Sequence, residues 1–109
     1  MSRVAEQAAF LLDVSKLIQF ATEKGFVVTG GELWRTPEQQ QVYVKTGRSQ
    51  TMRSRHLERM AIDLNFFKDG KLTYETEEVG RFWESLSEKN SAGMFWKSFK
   101  DAPHFERRA

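Results

Sequence analysis

Cysteine is absent from this 109-residue chain, and histidine and proline occur only twice each. Without cysteine, no disulfide staples the fold and no thiolate can ligate a metal. No apolar run approaches the roughly 18 residues needed to cross a bilayer, so membrane insertion is not expected. The opening Met1-Ser2-Arg3-Val4-Ala5-Glu6-Gln7 has no basic segment leading into a long apolar stretch. Ala8-Ala9-Phe10-Leu11-Leu12 is cut short at once by Asp13, and no secretory signal is expected. An excess charge of one sign is nearly lacking too: the formal net charge is +2, and the basic residues are dispersed among 15 acidic ones. That balance and the lack of a recognised motif disfavour nucleic-acid binding, leaving only a weak field towards anionic surfaces. Internal repeats, low-complexity tracts and linkers are missing as well. The expectation is one small domain over residues 1–109, acting as a monomer.

Aromatic residues are plentiful, with nine Phe, three Trp and two Tyr, so a few bulky side chains should build most of the core. From about Arg3 to Glu23, Val4, Phe10, Leu11, Val14, Leu17, Ile18 and Ala21 recur at three- and four-residue spacing. This predicts an amphipathic helix ending before Gly25. Phe26-Val27-Val28-Thr29 reads as a strand, with a bulge or turn at Gly30-Gly31. Thr36 and Pro37 predict a capped helix running to about Lys45 or Thr46 and closed by Gly47. Residues 48–55 read as a polar loop. Met60 to Phe67 alternates as a strand whose Ala61, Asp63 and Asn65 share one face, and Lys68-Asp69-Gly70-Lys71 is a hairpin turn. A helix from about Glu75 to Lys89 should bury Val79, Phe82, Trp83 and Leu86. Short strands are expected at Gly93 to Phe95 and at Pro103 to Glu106. The order predicts an α+β domain, a small antiparallel sheet flanked by helices.

Both histidines have an aspartate close by, seven residues after His56 and three before His104. Imidazole and carboxylate are donors that zinc accepts, and a catalytic zinc keeps three protein ligands and an open position. His56, Asp63 and His104 can be those three ligands, leaving Asp101 beside the bound water. Plainer readings exist for each residue. A histidine on a strand is often only a hydrogen-bonded structural group. Asp63 sits in an apolar run, where an inward charge would be costly unless paired, but alternation also permits it to face solvent. In Asp101-Ala102-Pro103-His104 the proline fixes the offset between the acid and the imidazole, though Asp101 could equally cap a turn.

These segments resemble the zinc peptidase family that contains the D-alanyl-D-alanine carboxypeptidases and dipeptidases and the phage L-alanyl-D-glutamate endopeptidases. The resemblance rests on Ser54-x-His56, Ala61-x-Asp63, Gly93-x-x-Trp96 and Asp101-x-Pro103-His104-Phe105, preceded by Trp34-Arg35-Thr36-x-x-x-Gln40. Together they span residues 34–105, about two-thirds of the chain. The family usually carries glycine where this chain has Arg59, which implies either a different local backbone or a side chain reaching into the cleft. Its phage branch has aspartate at the position of Asp101.

The resemblance implies one Zn²⁺ per chain, held on the sheet face by His56, Asp63 and His104, with Asp101 as proton carrier. It implies that Arg35 stabilises the oxyanion and that Ser54 contacts substrate or orients His56, although a local loop bond explains Ser54 as well. Trp96 matches a family position but reads more simply as a buried core indole. The basic Arg48, Arg53 and Arg55 would face an anionic cell wall or merely solvent. The implied substrate is the peptide stem of peptidoglycan, reached from the bacterial cytoplasm by holin release or as a virion component. Alternatives are a D-Ala-D-Ala carboxypeptidase or dipeptidase, and a non-catalytic wall-binding or virion domain of the same fold.

Overall fold

The computed structural model describes residues 3–33, 36–47, 59–97 and 100–108. Helix α1 (Arg3–Glu23) is followed by β1 (Val27–Gly30), α2 (Pro37–Lys45) and β2 (Ala61–Lys68). Then come β3 (Lys71–Thr73), α3 (Glu77–Leu86), β4 (Asn90–Ala92), a 3₁₀ turn (Gly93–Phe95) and β5 (His104–Arg107). Every strand pairing is antiparallel, in the order β1-β2-β5-β4. The α+β expectation holds.

Strand β2 organises the sheet. On one side it pairs with β1 from Val27↔Phe67 to Gly30↔Leu64. On the other side its first half pairs with β5 and its last residues with β3, so those two strands follow one another along the same edge. Alternation then separates two faces. Leu64, Phe66 and Phe105 point into the core and are almost completely buried. Asp63 and His104, directly opposite one another in the β2–β5 register, share the reverse face.

The core is a run of edge-to-face aromatic contacts. Phe10 meets Trp83 at 5.6 Å between centroids, Trp83 meets Phe105 at 6.0 Å, and Phe105 meets Phe66 at 5.9 Å. Each such pair contributes about 0.5–1.5 kcal/mol beyond area burial. The Trp83 indole N–H also donates to the carbonyls of Ser91 and Glu106, at 3.2 and 3.1 Å, tying α3 to β4 and β5. Phe105 therefore anchors β5 to the core from between His104 and Glu106.

Several expectations need adjustment. Helix α1 spans the expected residues, but Phe10, Val14, Leu17 and Ala21 face the core while Val4, Leu11 and Ile18 are exposed. The core meets one stripe of the helix, and Val4, Leu11 and Ile18, a heptad apart along its flank about a quarter turn away, stay outside. Helix α3 stops at Leu86, not Lys89, because Ser87 is already extended (φ −163°, ψ 143°). The strand expected at Gly93 to Phe95 is a 3₁₀ turn; the strand itself is Asn90–Ala92, formed by pairing with β5.

Helix α2 begins as expected: the Thr36 hydroxyl accepts from the Gln39 N–H at 3.0 Å, and Pro37 occupies the first turn. Arg59 has an unusual backbone. Its φ is 57°, the left-handed conformation that glycine adopts freely and a bulky residue seldom does.

Candidate metal centre

Asp63 reaches its position because β2 is held from both sides. The Gly31 N–H donates to the Asp63 carbonyl at 2.8 Å, and the Asp63 N–H donates to the Glu32 carbonyl at 2.9 Å. A Cβ on Gly31 would stand 2.9 Å from that Asp63 oxygen, so only glycine allows the two backbones to lie this close. On the other side, the Leu64 N–H donates to the Pro103 carbonyl at 2.9 Å, which delivers His104 opposite Asp63.

Asp101 is placed by a different contact. Its N–H donates to the Gly93 carbonyl at 3.1 Å, and its own carbonyl accepts from the His104 N–H, also at 3.1 Å. The turn around Ala102-Pro103 therefore rests directly on Gly93, where an added Cβ would fall 2.3 Å from the Asp101 carbonyl oxygen. The Asp101 side chain is left to face the imidazole.

The result is a small polar cluster on the sheet face away from the core. His104 Nδ1 lies 3.4 Å from Asp63 Oδ1 and 3.9 Å from Asp101 Oδ2. The first distance is at the long end for a hydrogen bond and is reinforced by charge. Its other nitrogen, Nε2, is 2.7 Å from Glu106 Oε1, a charge-assisted separation. Exposure rises across the cluster, from 7% for the His104 side chain to 25% for Asp63 and 38% for Asp101. The imidazole is thus sealed in while Asp101 stands at the open edge.

Burial is the largest single influence on the His104 ring and opposes its charge. The hydrogen-bonding and charged carboxylates of Asp63 and Glu106 outweigh it together, raising the pKa from 6.5 to about 9. Three carboxylates around one imidazolium leave this pocket net negative. One ligand atom each from Asp63, Asp101 and His104 all lie within 4.8 Å of one another, a hard-oxygen and imidazole donor set suited to a divalent cation. The donors fit a metal on geometry and on charge.

His56, Arg35 and Ser54 lie outside the described residues, as do Trp34, Arg48, Arg53 and Arg55. The structure brings together Asp63, Asp101 and His104 from the sequence expectations. It corrects Trp96, which is half-buried rather than a core indole. Its ring centroid stands 5.0 Å from that of His104, and its Nε1 donates to Ser91 Oγ at 2.9 Å. Glu106 was missed by sequence reasoning, although the expected strand Pro103 to Glu106 already put it on the His104 face by alternation.

An antiparallel α+β scaffold that brings an imidazole and two carboxylates together beside its outer sheet face defines a candidate metal-binding domain. The chain belongs to the phage L-alanyl-D-glutamate peptidase family, whose profile it matches over residues 2–95. It is 32% identical over 95 residues to the L-alanyl-D-glutamate peptidase of Listeria phage A118, covering 84% of this chain. The match takes in 34% of that relative, so the chain spans about a third of its length. Among solved structures it resembles the Serratia marcescens L-Ala D-Glu endopeptidase ChiX, with a TM-score of 0.67 and 27% identity, covering 87% of this chain and 77% of that one. Asp101 and His104 lie beyond the stretch matched by the family profile. Their place in the cluster rests on the geometry above.

Among the described residues, no helix is long and apolar enough to cross a membrane.

Proposed function

We propose that this chain is a zinc-dependent L-alanyl-D-glutamate endopeptidase that cuts the peptide stem of bacterial peptidoglycan. The observation that carries this reading is the register pairing of Asp63 with His104, with Asp101 brought to the same imidazole edge. Family membership supplies the substrate class. His56, Asp63 and His104 would hold one zinc per chain. Zinc, when bound, supplies a Lewis acid that brings the pKa of water towards neutrality.

The chain's own residues do the rest. Asp101, the most exposed of the three acids around His104, takes the proton of the attacking water and returns it to the departing amine. Arg35 offers a planar, permanently charged guanidinium to the oxygen of the carbonyl under attack. Ser54 contacts the substrate or steadies His56. The protein acts on the wall after leaving the cytoplasm of the producing cell, by holin release or as part of a virion, and works as a monomer.

Metal analysis coupled to digestion of defined stem peptides tests this. Zinc-loaded protein should release L-alanine from the stem and expose a new amine on D-glutamate. Release of D-alanine would instead identify a carboxypeptidase, and a zinc-bound but inert protein would identify a wall-binding domain.

The proximity of Asp101 to Asp63 and His104 also permits it to be a ligand in its own right. Asp101→Asn should keep zinc and lose roughly 10²-fold or more in rate if it carries protons. Loss of zinc in that variant would make it a ligand. His104→Ala should lose most of the metal under either arrangement.

A further inference from the structure

Glu106 holds the imidazole of His104 from the side facing away from the other two acids. Nε2 lies 2.7 Å from Glu106 Oε1, whereas Nδ1 points to Asp63 and Asp101 at 3.4 and 3.9 Å. The two ring nitrogens diverge, so groups at opposite ends of the ring cannot share one ion. Glu106 is therefore no ligand to a cation held beside Asp63. We propose that Glu106 is a positioning residue: it accepts the Nε2–H of His104, which holds Nδ1 towards Asp63 and Asp101 and makes Nδ1 the metal-binding nitrogen once the metal displaces its proton. This rests on the reading of His104 as a zinc ligand. A carboxylate on the far nitrogen fixes the tautomer and ring orientation and raises the basicity of the ligating one.

The backbone supports the role. Residues 104 and 106 of β5 share a face, and Glu106 is paired on one side with Ala61 of β2 and on the other with Ser91 of β4. Its carbonyl accepts from the buried Trp83 indole at 3.1 Å, and neighbouring Phe105 is fully buried. Opposite it, Ala61 presents only a methyl group, and Trp96 packs against the His104 ring at 5.0 Å. The carboxylate thus sits on a pinned strand and grips a ring already confined between packed neighbours.

The test is zinc affinity, measured by competition with a chromophoric chelator, with the melting temperature of each metal-free protein recorded alongside. Glu106→Ala should weaken zinc binding by roughly 10- to 100-fold while the metal-free variant stays folded. Glu106→Gln keeps an acceptor oxygen and nearly the same shape, and should lose less, about tenfold or under, because it removes charge without removing the hydrogen bond. In the zinc-loaded parent, ¹⁵N NMR of the His104 ring should find the proton on Nε2 and the metal on Nδ1.

Parental zinc affinity in both variants, or a proton on Nδ1 in the loaded protein, overturns the role of Glu106. That result is distinguishable from failure of the underlying reading. A parent that binds no zinc, or a His104→Ala variant that binds it undiminished, removes the site itself and Glu106 with it.

Discussion

Gly93 is the position where one added methyl group should do most harm. A Cβ there would lie 2.3 Å from the Asp101 carbonyl oxygen, 3.2 Å from its carbonyl carbon and 3.1 Å from the His104 Cβ. Carbon atoms rest at about 3.5–4.0 Å, so the Asp101 turn would have to retreat by roughly 1 Å. Backbone cannot swing away as a side chain can, and this turn is also bonded to the Gly93 carbonyl through the Asp101 N–H. Overpacking of this kind costs about 1–3 kcal/mol. For a domain of this size that is a fall in melting temperature of roughly 4–20 °C. If Asp101 carries protons as proposed, a displacement of about 1 Å there is also enough to cost on the order of 10²-fold in rate. Gly93→Ala should therefore melt early and cleave stem peptide slowly, as read by circular dichroism and by release of the new amine. Two controls sharpen the test. A methyl group added at Gly30 would meet nothing within 4 Å, so Gly30→Ala should be close to neutral. Gly80 would meet side chains, the Met94 thioether at 2.6 Å from Sδ and the Phe95 ring at 2.9 Å, which can give where backbone cannot, and Gly80→Ala should be milder than Gly93→Ala. If Gly93→Ala melts and cleaves like the parent, the seating of Asp101 on Gly93 is not what positions it.

Other substitutions test separate parts of the reasoning. Arg59→Gly should stabilise the protein by about 0.5–1 kcal/mol, since it relieves a left-handed φ of 57° at some cost in chain entropy; an unchanged or lower melting temperature counts against that strain. In metal-free protein the His104 pKa is raised from 6.5 to about 9, so its contribution is complete below pH 6.5 and is lost as pH climbs through 9. Thermal melts should show a decline over that window of up to about 3 kcal/mol, and a flat profile would remove the imidazolium from the stability balance. Arg35→Lys should lower kcat at least roughly tenfold, about 1.4 kcal/mol, with zinc content and folding unchanged; a surface arginine would tolerate the exchange.

How far the sequence could be read depended on the range of the interaction responsible. Helix α1, the Thr36 cap and the turn at Asp69-Gly70 are determined by neighbours within a few residues, and they fall where periodicity and turn chemistry put them. Strand β4 escaped because Asn90-Ser91-Ala92 has little strand propensity; it is extended because β5 pairs with it and Trp83 binds the Ser91 carbonyl. Register was beyond reach in the same way. Alternation puts Asp63 and His104 each on one face of a strand, yet only the long-range pairing of β2 with β5 makes them opposite neighbours.

The physical consequence is that Asp63 and His104 are held by the sheet, and Asp101 by the turn that rests on Gly93. Phe105 locks β5 to the aromatic core, and the same two-residue period that buries Phe105 turns His104 and Glu106 outward together. A cation site needs donors whose positions do not relax when like charges crowd together. Here the repulsion among Asp63, Asp101 and Glu106 is opposed by backbone pairing on both sides of β2 and β5 and by the Gly93 contact beneath Asp101. The proposed cation site is therefore formed in advance: strand pairing and the His104 imidazolium, and not the ion, keep the acids together.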